Sequence, residues 1–222
     1  MSRRDNAANR CPTCAMPATL CICALVPRIQ TRTRLTVLVH YREARKPTNT
    51  GQLAARCLAE SAVEIVGRRD QPVKLRALHD GELPLVLFPD DDAVPIERYA
   101  GCDQRIAVFV PDGTWRQASK MRRRVAGLVP IQCVTLPDSG VTEYRLRAEH
   151  RIGGLATLEA IARALRILEG DTGAAAEAAM LAVFRVMVDR TRWLRGELAE
   201  SDVTGGVPPE AVRLRRLGPQ RI

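Results

Sequence analysis

Residues 105–128, RIAVFVPDGTWRQASKMRRRVAGL, decide the fold class. The run RIAVFVP (105–111) is apolar and rich in β-branched residues. It has the length of a buried strand and is stopped by proline, as core strands of parallel sheets often are. WRQASKMRRRVAGL (115–128) has helical composition, and between the two Gly113 permits a sharp turn. Asp112 therefore follows a strand directly and precedes a helix. Two readings of it stay open: a carboxylate aimed into a ligand crevice, or the N-cap of the helix, with Trp115 packed in the core.

Outward from this unit the pattern repeats. LTVLVHY (35–41) reads as a buried strand, the polar loop REARKPTNT follows, and GQLAARCLAE (51–60) reads as a helix capped by Thr50 or Asn49. PLVLFP (84–89) and IQCVTLP (131–137) are short apolar strands, each again ending in proline. LATLEAIARALRILEG (155–170) carries Leu155, Leu158, Ile161, Leu165 and Leu168 as a helical stripe that ends at Gly170. A longer helix, GAAAEAAMLAVFRVMVDRTRWLRGEL, comes next. Strands alternating with helices argue for an α/β sheet with helices on both faces. In such sheets ligands bind beyond the carboxyl ends of the strands, which selects the loops 88–92, 111–115 and 136–147.

The expected organisation is a disordered basic leader over 1–10, a cysteine segment over 11–30, a main domain over 34–200, and a Pro/Gly-rich basic tail over 201–222. No internal repeat is visible. The 222 residues carry 34 Lys+Arg against 25 Asp+Glu, a net charge of +9, with only Lys46, Lys74 and Lys120 as lysines. Guanidinium groups suit phosphate, which their planar fork binds bidentately, although a base-rich genome also writes Arg for Lys. No apolar run approaches the ~18 residues needed to span a bilayer, so no membrane association is expected. The start lacks the apolar stretch of a secretory signal. A cytoplasmic, reducing compartment is the expectation, in which seven cysteines are not a disulfide framework.

Cys11, Cys14, Cys21 and Cys23 are spaced C-x2-C-x6-C-x-C. Four thiolates that close favour a tetrahedral structural zinc site, with an iron–sulfur cluster or redox-active thiols as alternatives. Cys57, Cys102 and Cys133 read as small buried hydrophobes. The loop HYREARKPTNTG (40–51) gathers His40, Glu43, Arg45, Lys46, Thr48, Asn49 and Thr50. YRLRAEHRIGGLATLEA (144–160) brings Arg145, Arg147, His150 and Arg151 to a glycine pair that opens a helix. A helix start flanked by arginines is an anion site, suited to a carboxylate or an RNA phosphate.

Taken together, H-x2-E-x2-K-x-TNTG at 40–51, LFP at 87–89, DGTW-x-QA at 112–118, Y-R-x-R at 144–147 and L-x-TLEA at 155–160 resemble the DTW-domain family. They occur in the family's order, and the cysteine cluster is similar to that of bacterial members. The resemblance covers most of the chain. Ala156 stands where the family often has serine.

The resemblance implies a tRNA-uridine aminocarboxypropyltransferase. Such enzymes transfer the 3-amino-3-carboxypropyl group of S-adenosylmethionine to uridine N3, giving 3-(3-amino-3-carboxypropyl)uridine and methylthioadenosine. It also implies a SPOUT-like sheet with a trefoil knot that holds the cofactor bent, joined to a small N-terminal four-cysteine zinc knuckle. On this reading Asp112, Thr114 and Trp115 are catalytic, Asp112 either as base for N3–H or as the group orienting the donor's amino group. Leu87, Phe88, Pro89, Leu136 and Pro137 bind the cofactor with their backbone. Asp112, Gly113, Trp115, Tyr144, Arg145, Leu155 and Thr157 complete its site. His40, Glu43, Lys46, Asn49 and Arg147 receive the tRNA, with Arg122 and Arg123 as phosphate contacts. Arg124 and the trio Arg213, Arg215 and Arg216 belong to the same two basic runs. A target base must leave its stack to reach a buried donor, which favours a tRNA loop. A monomer is expected rather than a homodimer. The competing readings are a SPOUT-like RNA methyltransferase and a non-catalytic RNA-binding module.

Overall fold

The structure, a computed structural model, describes residues 9–68, 73, 75, 77–137, 142–146 and 154–216. In chain order its main elements are β1 (Arg34–His40), α1 (Thr50–Cys57), β2 (Ser61–Val66), β3 (Leu83–Leu87), β4 (Val94–Pro95) and β5 (Ile106–Asp112). They continue with α2 (Trp115–Arg124), β6 (Cys133–Thr135), α3 (Thr157–Leu168), α4 (Gly173–Arg195) and α5 (Pro209–Arg216).

Six parallel strands form one sheet in the order β2-β1-β5-β3-β6-β4. The near-continuous apolar runs of β1 and β5 are what two covered faces require, and both strands are buried almost throughout. Side chains alternate between the faces. Leu35, Val37 and Val39 of β1 and Ile106, Val108 and Val110 of β5 share one apolar cluster with α1, α3 and α4. Leu38, Ala107 and Phe109 turn the other way, onto Ala118 and Met121 of α2. The expected layering, with helices on both faces, is therefore present.

Register fixes where the site forms. Val39 lies opposite Asp112 and His40 opposite Val66, so β1, β2 and β5 end level with one another. Asp112 continues the Val108, Val110 side of β5 and so faces α1 and α3. The next residues lead into α2, on the opposite face.

Some expectations shift. β2 and β4 are not legible as strands in the sequence: SAVEIV carries Glu64 and is only half-buried at the sheet edge, and β4 is two residues long. Asn49, not Thr50, caps α1, its side chain accepting the Gln52 N–H at 2.7 Å. The basic tail expected over 201–222 is described over 201–216 and packs onto the domain there. Val203 and Ala211 are buried in the main cluster, and the Arg215 guanidinium lies 4.5 Å from the Trp193 ring centroid. Likewise Cys14, Met16, Leu20 and Ile22 of the cysteine segment join that cluster, so the segment is packed into the main domain. Residues 1–8 of the expected leader and 217–222 lie outside the described residues. Among the described residues no helix is long and apolar enough to cross a membrane.

Candidate active site

The carboxylate of Asp112 is built in from three directions. Asn49 Nδ2 donates to Oδ2 at 2.6 Å and Thr157 Oγ1 donates to Oδ1 at 2.5 Å. Gly51 provides the third side: a Cβ at that position would lie 2.7 Å from Asp112 Cγ, so only glycine lets the backbone of α1 come this close. Asn49 works with both ends of its amide, its oxygen capping α1 and its nitrogen holding Asp112. Thr157 is the first residue of α3. The carboxylate thus meets the starts of two helices, where the helix dipoles favour negative charge. It does not cap α2. Thr114 does that, accepting the Gln117 N–H at 3.4 Å, while the Thr114 N–H donates to Gln117 Oε1 at 2.8 Å.

Asp112 is 5% exposed, yet it borders a cavity of about 430 Å³, within the range of small-molecule sites. One wall is the loop after β1, with Glu43, Thr48, Asn49 and Thr50. A second is the turn 112–116, and the third is made by Thr142, Tyr144 and 155–157. Tyr144 ties walls together: its hydroxyl donates to the Thr48 carbonyl at 2.9 Å and its ring stacks on Phe184. Glu159, buried in α3, accepts from Thr142 Oγ1 (2.5 Å), Glu143 N–H (2.7 Å) and Ala156 N–H (2.8 Å). That one carboxylate holds the third wall in place. Glu143 is in turn paired with Arg185 at 2.5 Å; this hydrogen bond outweighs burial and keeps the Glu143 carboxyl below its usual range. Glu43 is buried and accepts from Lys46 Nζ at 2.5 Å. Among the described residues the cavity therefore combines two carboxylates, five threonine hydroxyls and the apolar surfaces of Trp115 and Leu155. Such a lining suits a ligand that carries positive charge beside apolar groups.

The structure brings Glu43, Asn49, Asp112, Gly113, Thr114, Trp115, Tyr144, Leu155 and Thr157 to this one cavity. Leu87 and Phe88 are buried at the end of β3, Phe88 touching the site through the Trp115 ring at 5.6 Å, and Pro89 is exposed beside them. Leu136 and Pro137 follow β6 and are not in the cavity wall. Arg145 is exposed on the turn after Tyr144. Arg147, His150 and Arg151 lie outside the described residues. His40 faces a neighbouring hollow on the α2 side, and Lys46 turns to Glu43.

Arg122 corrects an expectation. It is 5% exposed, and its guanidinium donates to Cys133 Sγ (2.7 Å) and to the carbonyls of Leu128 (3.0 Å) and Val129 (3.1 Å). It braces the turn after α2 and is not offered to RNA, whereas Arg123 is exposed. Sequence reasoning misses Thr142, Arg116 and the bracing Glu159 as site residues. Arg116 is the position that the motif DGTW-x-QA leaves unspecified, and Thr142 carries no local signal, since what holds it lies in α3.

The four sulfurs of Cys11, Cys14, Cys21 and Cys23 lie within 4.8 Å of one another, with Cys11–Cys23 at 3.6 Å and Cys14–Cys21 at 3.7 Å. Tetrahedral zinc with Zn–S bonds of ~2.3 Å requires sulfurs ~3.8 Å apart, so this donor set fits a closed zinc site. Backbone N–H groups of Cys14 and Thr13 hold the pKa of the Cys11 thiol down to about 6. Arg56 Nη2, from α1, donates to Cys23 Sγ at 3.2 Å. Arg190, from α4, donates to the Cys21 carbonyl at 2.9 Å.

Comparison with known proteins agrees with the motifs. The chain matches the DTW domain over residues 8–192. It is 26% identical over 172 residues to tRNA-uridine aminocarboxypropyltransferase 2 of Drosophila melanogaster, covering 74% of this chain and 68% of that protein. Against the Mus musculus protein of the same name it is 29% identical over 168 residues, 72% of this chain and 56% of the relative. Against tRNA-uridine aminocarboxypropyltransferase A of Arabidopsis thaliana it is 28% identical over 210 residues, covering 80% and 79%. The chain thus spans little more than half of the mouse relative's length. No solved structure matches it. With the matched region taking in the cysteine cluster and every wall of the cavity, the chain belongs to the DTW-domain family.

Proposed function

We propose that this protein transfers the 3-amino-3-carboxypropyl group of S-adenosylmethionine to N3 of a uridine in tRNA, forming 3-(3-amino-3-carboxypropyl)uridine and methylthioadenosine. The names of the relatives support the reaction class. The observation that carries it here is the Asp112 carboxylate, held by Asn49 and Thr157 at two helix starts on the wall of the cavity.

The lining fits the donor, whose ammonium and sulfonium are cationic and whose methylthio and adenine groups are flat or apolar. When bound, S-adenosylmethionine supplies a carbon activated by an excellent leaving group. The chain's task is then to choose one carbon of three by position. Asp112 orients the donor's amino group. Both of its oxygens already accept a short hydrogen bond, which favours a fixed anion over a group that takes up the N3 proton. Glu43 adds a second negative charge. Gly113, Trp115, Tyr144, Leu155 and Thr157 shape the donor site, and Arg145 receives the donor carboxylate. The backbone of Leu87, Phe88, Pro89, Leu136 and Pro137 extends the site toward adenine. Thr114, exposed at the rim, offers its hydroxyl to a uracil carbonyl. His40, Lys46, Arg123 and Arg147 serve the RNA.

We further infer a SPOUT-like, knotted topology; a later strand, β5, lies between the earlier β1 and β3, as such a path requires. Zinc in the four-cysteine site would be structural, because all four positions are taken by protein. A monomer acting in the cytoplasm completes the reading. The co-product tests the reaction: incubation with tRNA and S-adenosylmethionine yields methylthioadenosine. S-adenosylhomocysteine in its place would mean methyl transfer.

A further inference from the structure

A second hollow, of about 650 Å³, opens on the α2 side of the sheet, outside the proposed donor site. His40, Val66 and Gly67, at the ends of β1 and β2, form one side. Gly67 has φ +90°, and a Cβ there would lie 3.1 Å from His40 Nε2, so the backbone lies close against the imidazole. The other side is α2. Arg116, Lys120 and Arg124 are spaced four apart and so share one face of the helix, all three exposed, while Arg122 turns inward.

Charge distinguishes the hollow from its neighbour. Among the described residues, Arg42, Arg68, Arg116, Lys120 and Arg124 line it and no carboxylate does. Among the described residues the first cavity has two carboxylates, with Arg116 as its one cation. Like charges at four-residue spacing weaken a helix, and α2 contains no acidic residue to offset them. An external polyanion would. The Tyr41 ring also lines the hollow, with the Arg42 guanidinium 5.6 Å and the His40 ring 4.8 Å from its centroid. The two cavities share Thr114 and Arg116.

We propose that this hollow binds the sugar-phosphate backbone of the RNA substrate beside the target nucleotide, the strand crossing at Thr114 and Arg116 so that only the target base enters the first cavity. Lys120, Arg124 and Arg68 bind phosphates, and Tyr41 stacks on a flanking base. The inference rests on the proposed reaction for its choice of RNA, and on the lining for its location.

Binding of an unmodified tRNA transcript to the full-length protein, followed against salt concentration, tests it. Every phosphate of single-stranded RNA that the protein no longer neutralises lowers the slope of log affinity against log salt by ~0.7. The double variant Lys120→Ala, Arg124→Ala should lose about twice that and bind several-fold more weakly. Its affinity for S-adenosylmethionine should not change, and the charge-keeping pair Lys120→Arg, Arg124→Lys should retain the slope. Arg98→Ala, beyond β4 at the far edge of the sheet, serves as the control. An unchanged slope in the double variant and in the triple variant that adds Arg68→Ala overturns the proposal, even if the wild type forms aminocarboxypropyluridine. A reduced slope with no such product from the wild type keeps the RNA hollow and rejects the reaction.

Discussion

Thr157 Oγ1, in the first turn of α3, donates to Asp112 Oδ1 at the end of β5 across 45 residues of chain. That bond makes the helix start and the strand end a single unit, and the cavity is what remains between them. Asp112→Asn removes the negative charge: the amide oxygen still accepts from Asn49 Nδ2, but its NH2 faces the Thr157 hydroxyl, which must stop donating and accept instead. Transfer activity should fall about 100-fold or more, since misplacement of a positioning group by an ångström has that effect. Gly51→Ala should also lower activity, because its Cβ would press on the carboxylate. Steady-state kinetics of both variants check the point, and unchanged kcat/KM in both would remove Asp112 from the mechanism.

Ala156 begins α3 with half of a capping box: Glu159 reaches back to its N–H, but alanine has no oxygen to return the bond. Ala156→Ser should supply one. The gain expected from such a cap is about 0.5–1 kcal/mol, or about 1–4 °C in Tm for a chain of this size. Calorimetry of the variant decides it, and an unchanged or lower Tm contradicts this account of the helix start.

His40 is kept below the ordinary histidine value of 6.5 by burial first and by the neighbouring Arg42 second, with Glu43 opposing. Its folded form therefore prefers the neutral imidazole. As pH falls through the ordinary histidine range, the unfolded chain takes the proton first, so stability declines with acidification. NMR titration should find the His40 midpoint below 6.5, and His40→Gln should reduce the loss of stability between about pH 7 and 5. A midpoint above that value would contradict these surroundings.

Zinc removal should loosen more than the N-terminal segment. Arg56 of α1 and Arg190 of α4 both bond to the cysteine segment, and its apolar residues lie in the main cluster. Even about 3 kcal/mol lost with the metal corresponds to a Tm drop of about 6–12 °C. The purified protein should contain one zinc per chain, and Cys14→Ser should lower both metal content and Tm. A metal-free preparation with the same Tm would contradict this.

Much of this architecture is legible where one physical signal dominates. Apolar runs mark β1, β3, β5 and β6, the last three punctuated by proline, and the tight cysteine spacing marks the sulfur cluster. What escapes depends on distant partners. β2 is half-buried and acidic, and becomes a strand because β1 offers an edge. Arg122 looks like its neighbours in an arginine run. Only the helical phase it shares with Ala118, Met121 and Val125 marks it as inward-facing. Thr142 enters the site through Glu159, 17 residues away, and α5 is held by Trp193 and the core rather than by its own composition.

The mass of the product tests the proposed reaction most directly. Unmodified tRNA incubated with S-adenosylmethionine and the protein, then digested to nucleosides, should yield a uridine heavier by one aminocarboxypropyl group. That increment should be largely lost with Asp112→Ala. A uridine heavier by one methyl group, or no modified uridine across a range of tRNAs, would contradict the assignment.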